Sequence, residues 1–146
     1  MKQHQFTLTG KWQGGRNGQG TIVTNGLETT VSAPLNMNGL GIGTSSEEML
    51  LGASATCYLI TLGLMLQKRN IDVEELTIQS QGILVEDPVL RYDRIIHRPI
   101  IIIKENDPEM IQQAQTIAIL AERNCMISAA IRGNVDVQVE PTVTSS

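Results

Sequence analysis

The side chains best suited to covalent chemistry in this chain are its two thiols, Cys57 and Cys125. A cysteine reacts as its thiolate, so what surrounds each sulfur decides whether it works or merely packs. Cys57 stands at the middle of Glu47 to Leu66, EEMLLGASATCYLITLGLML, a stretch with almost no charge. Two readings of it are open: a free cysteine is a common fully buried residue, and a long apolar helix has no packing need for a thiol at its centre. Other site chemistries find little purchase. His4 and His97 stand apart and the cysteines form no C-x-x-C, which argues against zinc. No nucleophile elbow singles out a serine for a triad with His97. Gly39, Gly41 and Gly43 are followed by Thr44, Ser45 and Ser46 rather than by lysine, which argues against a phosphate loop.

The elements that must hold these thiols can be read from composition and pattern. With 146 residues and 41% hydrophobic content, the chain suits a single domain over 1–146 with a real core. Its 11 basic and 15 acidic residues leave a net charge of -4 with no block of like charge, so nothing invites nucleic acid. Two cysteines do not make a disulfide scaffold, and no charged segment leads into an apolar one at the start. The expected location is the reducing cytoplasm. Met49 to Leu66 has the minimum length of a membrane span, but Gly52, Ser54, Thr56, Thr61 and Gly63 interrupt it, and a membrane role is not expected.

In chain order, Phe6, Leu8 and Trp12 alternate with polar residues, GGRNG supplies a turn, and Thr21 to Val23 precede a turn at Asn25 and Gly26. These residues predict an antiparallel meander. Arg16 lies in its first turn, where the plain reading is a solvated side chain. Pro34 to Ser46 reads as a loop. The central helix then starts on one of two capping boxes, Ser45 with Glu48 or Thr44 with Glu47, which leaves either Glu47 or Glu48 free. Its body is apolar nearly all round, as in a helix buried on most faces, and it should end near Lys68 to Asn70. Val73 to Glu86 and Arg91 to Glu105 form a long hairpin turned at Asp87 and Pro88, with an edge or bulge at Pro99. Ile100 to Ile103 reads as buried on both faces, a dimer interface being one candidate cover. Asp107 and Pro108 open a second helix whose buried stripe is Met110, Ala114, Ile117, Ala118 and Ala121. A final strand spans Asn134 to Glu140, and the tail after Pro141 should fray. The fold class is α+β, with helices against antiparallel sheet.

Three segments together, GGRNG, SAPLNMNGLG running into TSSEEMLLGASATC, and ERNCMISAAIRGNVDV, resemble the OsmC/Ohr family of thiol peroxidases over most of the chain. The resemblance implies an intertwined homodimer that needs no cofactor. It also implies a site made of Cys57, Cys125, Arg16 and Glu47, with Glu48 as the other candidate for the arginine's partner. In two places the sequence departs from the family: Ser45 and Ser46 stand where many members have Asn-Pro, and Met126 stands where many have proline after the second cysteine.

In the chemistry so implied, Arg16 favours the thiolate of Cys57 and stabilises the leaving alkoxide, while Glu47 orients the arginine. Attack on an organic hydroperoxide leaves a sulfenic acid on Cys57, Cys125 condenses with it to a disulfide, and an external dithiol reopens the bridge. On one continuous helix Glu47 and Cys57 lie about 15 Å apart along the axis. That spacing places the Arg16 and Glu47 that act on a given Cys57 in a second subunit. Met37, Met49, Leu50 and Met126 are candidates for an apolar access route that would favour alkyl hydroperoxides over hydrogen peroxide, at roughly 0.8 kcal/mol per buried CH₂.

Overall fold

The computed structural model describes all residues, 1–146, and divides into two compact units, Met1–Leu50 and Leu51–Ser146. In the first, β1 (Thr9–Gln13), β2 (Gln19–Val23) and β3 (Glu28–Val31) make an antiparallel sheet in that order. Gly18 N–H bonded to the Gly15 carbonyl closes the GGRNG turn, and Thr24 N–H bonded to the Leu27 carbonyl closes the turn through Asn25 and Gly26. The meander is as expected, except that Phe6 and Leu8 precede β1, which is exposed along its whole length.

The loop after β3 is held to the sheet. Ser32 N–H bonds the Thr44 carbonyl, Thr44 N–H bonds the Thr30 carbonyl, and the Ser32 hydroxyl serves both the N–H and the carbonyl of Ile42. Gly43 makes this possible: it has φ +65°, and any Cβ there would strike the Thr30 carbonyl. One short 3-10 turn, Leu35–Met37, interrupts the loop.

The long helix α1 runs Ser46–Lys68 and crosses from the first unit into the second. Ser45 caps it, its hydroxyl accepting from the Glu48 N–H at 3.3 Å, which selects the first of the two frames. At the other end Asn70 takes the left-handed conformation (φ 57°), and Ile71 N–H returns to the Leu66 carbonyl. Burial departs from expectation. Only the stripe Ser54, Tyr58, Leu62 and Leu66, spaced four apart, is buried, while Ile60 and Leu64 are 68% and 48% exposed. By length and composition alone α1 would cross a membrane, yet that stripe is packed into a protein core.

The core of the second unit lies between this stripe, the hairpin and α2. Strands β4 (Val73–Glu86) and β5 (Leu90–Ile103) pair antiparallel over nearly their full length around Asp87 and Pro88. Where the sequence led to an edge or bulge at Pro99, the register with Ile78 is regular, and the shifts fall at Val73/Glu75 and Ile83/Leu84. The missing N–H of Pro99 is accommodated on the other side of β5. There β6 (Asp136–Val139) pairs with Arg94 to His97 and β7 (Thr142–Ser145) pairs with Ile100 to Ile103, both parallel, and Pro99 falls in the gap between them.

The last strand is therefore two, the sheet is mixed rather than antiparallel, and the tail expected to fray is ordered as β7 with Val143 buried. Ile101 and Ile103 enter the core, whereas Ile100 is 45% exposed, so the isoleucine run alternates instead of being buried on both faces. Helix α2 (Pro108–Arg123) follows its sequence signals: Asp107 accepts from the Glu109 N–H at 3.0 Å, and Ala114, Ile117, Ala118 and Ala121 are buried. A short helix α3 (Met126–Ile131), which the pattern did not suggest, begins directly after Cys125.

Candidate active site

The thiols of Cys57 and Cys125, remote in sequence, lie within hydrogen-bonding reach of each other. Cys57 is half-buried on α1 and Cys125 is buried as the N-cap residue of α3, where its sulfur accepts from the Ser128 N–H at 3.5 Å. Neither is oxidised.

Their surroundings push the two thiols apart. Burial opposes charge on Cys57, but the Cys125 S–H, the N–H groups of Ile127 and Met126 and the Thr61 hydroxyl outweigh it, so its pKa falls below the ordinary value. Thr61 lies one turn along α1, and its hydroxyl proton goes to the Cys57 carbonyl at 2.8 Å, with the oxygen lying near the sulfur. Cys125 is held above the ordinary value by burial, then by donating its proton to Cys57 and by the charge there, against the opposing pull of the Ser128 N–H and hydroxyl. The surroundings thus favour the thiolate more at Cys57 than at Cys125. In chemical terms they are a nucleophile and a partner that stays protonated until the first has reacted.

A second cluster lies around the buried stripe of α1. His97 on β5 is fully buried, its Nε2 lies 3.1 Å from the Ser54 hydroxyl on α1, and its Nδ1 lies 2.6 Å from the Ser80 hydroxyl on β4. Because either hydroxyl can donate or accept, both ring nitrogens are served in the neutral imidazole. Its ring stacks on Tyr58 (centroids 4.9 Å apart, 17° between planes), and the Tyr58 hydroxyl donates to the Ala118 carbonyl at 2.7 Å. Burial, and to a lesser degree the charge of Glu122, drive the Tyr58 pKa upward, so the phenol stays protonated. Burial alone lowers His97 to about 4. Ser54 and Tyr58 flank Cys57 on the helix, so this network fixes the part of α1 that carries the thiol. The four-residue spacing of Ser54 and Tyr58 marks them as one face, but nothing local in the sequence ties that face to His97 or Ser80.

Arg16 and Glu47 both belong to the first unit. The Arg16 guanidinium donates to the Met37 carbonyl at 3.1 Å, which ties the β1–β2 turn to the loop ahead of α1. Glu47 lies in the first turn of α1 and accepts from the Ser46 hydroxyl at 2.8 Å. Glu48 contributes its N–H to the Ser45 cap. No cluster of three or more metal-ligating side chains is present.

The arrangement of meander, long helix, hairpin and a thiol at each of two helices defines a recognisable class. The model of the OsmC-like protein family matches residues 38–140. The chain is 43% identical to the uncharacterized protein YmaD of Bacillus subtilis (strain 168) over 145 residues, covering 98% of this chain and 97% of that one. Among solved structures it is similar to the organic hydroperoxide resistance protein OhrB of Bacillus subtilis, at 26% identity and a TM-score of 0.67 over 94% of this chain and 98% of OhrB. It also shares the fold of the organic hydroperoxide resistance protein OsmC from Legionella pneumophila, at 24% identity and a TM-score of 0.75 over 99% of this chain and 100% of that one. The chain belongs to the OsmC/Ohr family, and its mixed α+β fold is that of the family's structures.

Proposed function

We propose that this protein is a thiol-dependent peroxidase that reduces organic hydroperoxides to alcohols. The observation that carries the reading is the pair of thiols in contact, with Cys57 drawn toward thiolate and Cys125 held as thiol. The Cys57 thiolate attacks one peroxide oxygen, an S–O bond forms as the O–O bond breaks, and the alkoxide leaves to take up a proton as alcohol. Cys125 then attacks the sulfur of the Cys57 sulfenic acid, displaces water and closes a disulfide. A dithiol, either a lipoylated protein or a small molecule, reopens the bridge by exchange and is itself oxidised to a disulfide.

In this reading Arg16 stabilises the departing alkoxide and Glu47 orients its guanidinium. By the helix spacing both come from the second subunit of a homodimer, since about 15 Å of axis separates Glu47 from Cys57 on one helix. The uncovered apolar residues of α1, Ile60 and Leu64, suit the contact that such a dimer needs. Met126, 73% exposed beside Cys125, supplies apolar surface for an alkyl chain. Free thiols of this kind fit a reducing cytoplasm.

The test is stoichiometric. One equivalent of tert-butyl hydroperoxide added to the reduced protein should lower its intact mass by two hydrogens, and peptide mapping should find the bridge between Cys57 and Cys125. An unchanged mass would overturn the peroxidase and favour a dimeric binding protein for an apolar ligand.

A further inference from the structure

Tyr58, the residue that follows Cys57, joins the helix that carries one thiol to the helix that delivers the other. Its hydroxyl donates to the Ala118 carbonyl of α2 at 2.7 Å, and α2 leads through its cap residue Asn124 directly into Cys125. The α2 ladder does not need this bond, because an interior carbonyl already accepts from the N–H four residues on. The hydroxyl therefore ties two elements together rather than completing one. Tyr58 and Ala118 are both fully buried, and the small Ala114, Ala118 and Ala121 of α2 in the same core let the phenol reach the helix backbone. The ring is fixed as well: its face stacks on His97, whose nitrogens lie at Ser54 of α1 and Ser80 of β4. A second contact joins the same two helices beside the other thiol, where the Asn124 side-chain amide donates to the Met65 sulfur at 3.9 Å. All of these groups belong to the second unit.

We propose that Tyr58 is a positioning residue that holds Cys57 close to Cys125 and so sets how readily their disulfide forms and is reduced. The inference deepens the peroxidase reading and rests on those two thiols being its redox couple. A disulfide closes most easily when its thiols need no further ordering, and the equilibrium between dithiol and disulfide measures that ordering as an effective concentration. Cys57 and Cys125 are remote in the chain, so the fold must supply it. A tyrosine next to Cys57, locked through its hydroxyl and its ring face, does so.

Tyr58→Phe removes the hydroxyl and keeps the ring and its burial. Both full-length proteins are equilibrated at pH 7 in mixtures of reduced and oxidised glutathione, and intact mass after acid quenching gives the fraction bridged. Glutathione disulfide takes up the two electrons and two protons that Cys57 and Cys125 give up in bridging, and leaves as two thiols. The equilibrium constant for bridging should be about tenfold smaller in the variant, the scale of one hydrogen bond that favours a single state. That corresponds to a reduction potential about 30 mV higher. Equal constants would overturn the proposal. Lost stability common to the reduced and oxidised forms cancels from this equilibrium. Ile103→Val, which trims the same core and touches neither tie, should therefore lower the melting temperature and leave the constant unchanged. An equal shift there would reduce the effect to general loosening and overturn the proposal.

Should circular dichroism show that Tyr58→Phe does not fold, Ser80→Ala decides. It removes the hydroxyl 2.6 Å from His97 Nδ1, frees the ring stacked on Tyr58, and should shift the constant in the same direction. No shift would overturn the proposal. None of these measurements uses peroxide, so the two ideas can fail separately. A tenfold difference in a protein that resists tert-butyl hydroperoxide defeats the peroxidase reading alone, and equal constants in one that is oxidised by it defeat this inference alone. A wild-type pair that never bridges in oxidised glutathione defeats both.

Discussion

Cys57→Ser should abolish hydroperoxide turnover, lowering kcat/KM by on the order of a thousandfold or more, the scale on which loss of a nucleophile acts. Cys125→Ser should behave differently. Its first oxidation should proceed, and a sulfenic acid on Cys57 should become trappable with dimedone because no neighbouring thiol remains to consume it. Recycling by a dithiol should fail or slow sharply. The asymmetry follows from the opposed shifts of the two thiols, with Cys57 lowered and Cys125 raised. A steady-state assay with dihydrolipoamide, alongside a single-turnover dimedone experiment, separates the roles. Robust turnover in Cys57→Ser would sink the assignment, and so would a Cys125→Ser protein that cannot be oxidised at all.

The second large effect concerns acid. His97 is buried between Ser54, Ser80 and the ring of Tyr58, and burial lowers its pKa from 6.5 to about 4. Between those values the unfolded chain binds a proton that the folded chain refuses, so folding stability rises with pH through the window and is lost as pH falls. Above about 6.5 the imidazole is neutral in both states and the contribution is complete; below about 4 both states are protonated and nothing further is lost. At 1.36 kcal/mol per unit of pKa, the loss across the window is about 3 kcal/mol. Urea unfolding at a series of pH values should show this slope, and His97→Asn, which takes up no proton there, should lack this part of it. Identical slopes in the two proteins would show that His97 does not titrate as its burial requires.

Much of the fold was legible because its signals are local. Asp107 and Pro108 marked the start of α2, Asp87 and Pro88 marked the hairpin turn, and the two overlapping capping boxes at Thr44 and Ser45 placed the start of α1 to within a residue, Ser45 being the cap in the structure. What was not legible depends on pairing across the chain. The segment after Pro141 looks like any polar tail until β5 offers it an edge, and the same parallel pairing explains why Pro99 disturbs nothing. Helix α3 is too short to carry a periodic pattern. The apolar character of α1 predicted burial on most faces, yet within one chain only the Ser54–Tyr58–Leu62–Leu66 stripe is covered, because hydrophobicity says that a surface wants cover and not what supplies it.

The site divides in the same way. Cys57 drew attention as a thiol in an apolar helix, and the approach of Cys125 agrees with what the family resemblance implied for the pair. The Ser128 N–H that bonds the Cys125 sulfur left no trace in side-chain patterns, since any residue but proline provides such a donor. The Ser54–His97–Ser80 contacts were equally hidden, as they join a helix to two strands far away in sequence.

The exposed Ile60 and Leu64 also bear on how the protein must be handled. If a second copy covers those residues, folding and association become one equilibrium, and the unfolding midpoint is no longer a constant of the molecule. Each tenfold increase in concentration should then add about 1.4 kcal/mol of stability per dimer, visible as a rising melting temperature. A midpoint that ignores dilution would mean that α1 carries its bare stripe alone. Where the midpoint does move, expression level itself becomes a determinant of how much folded protein a cell holds.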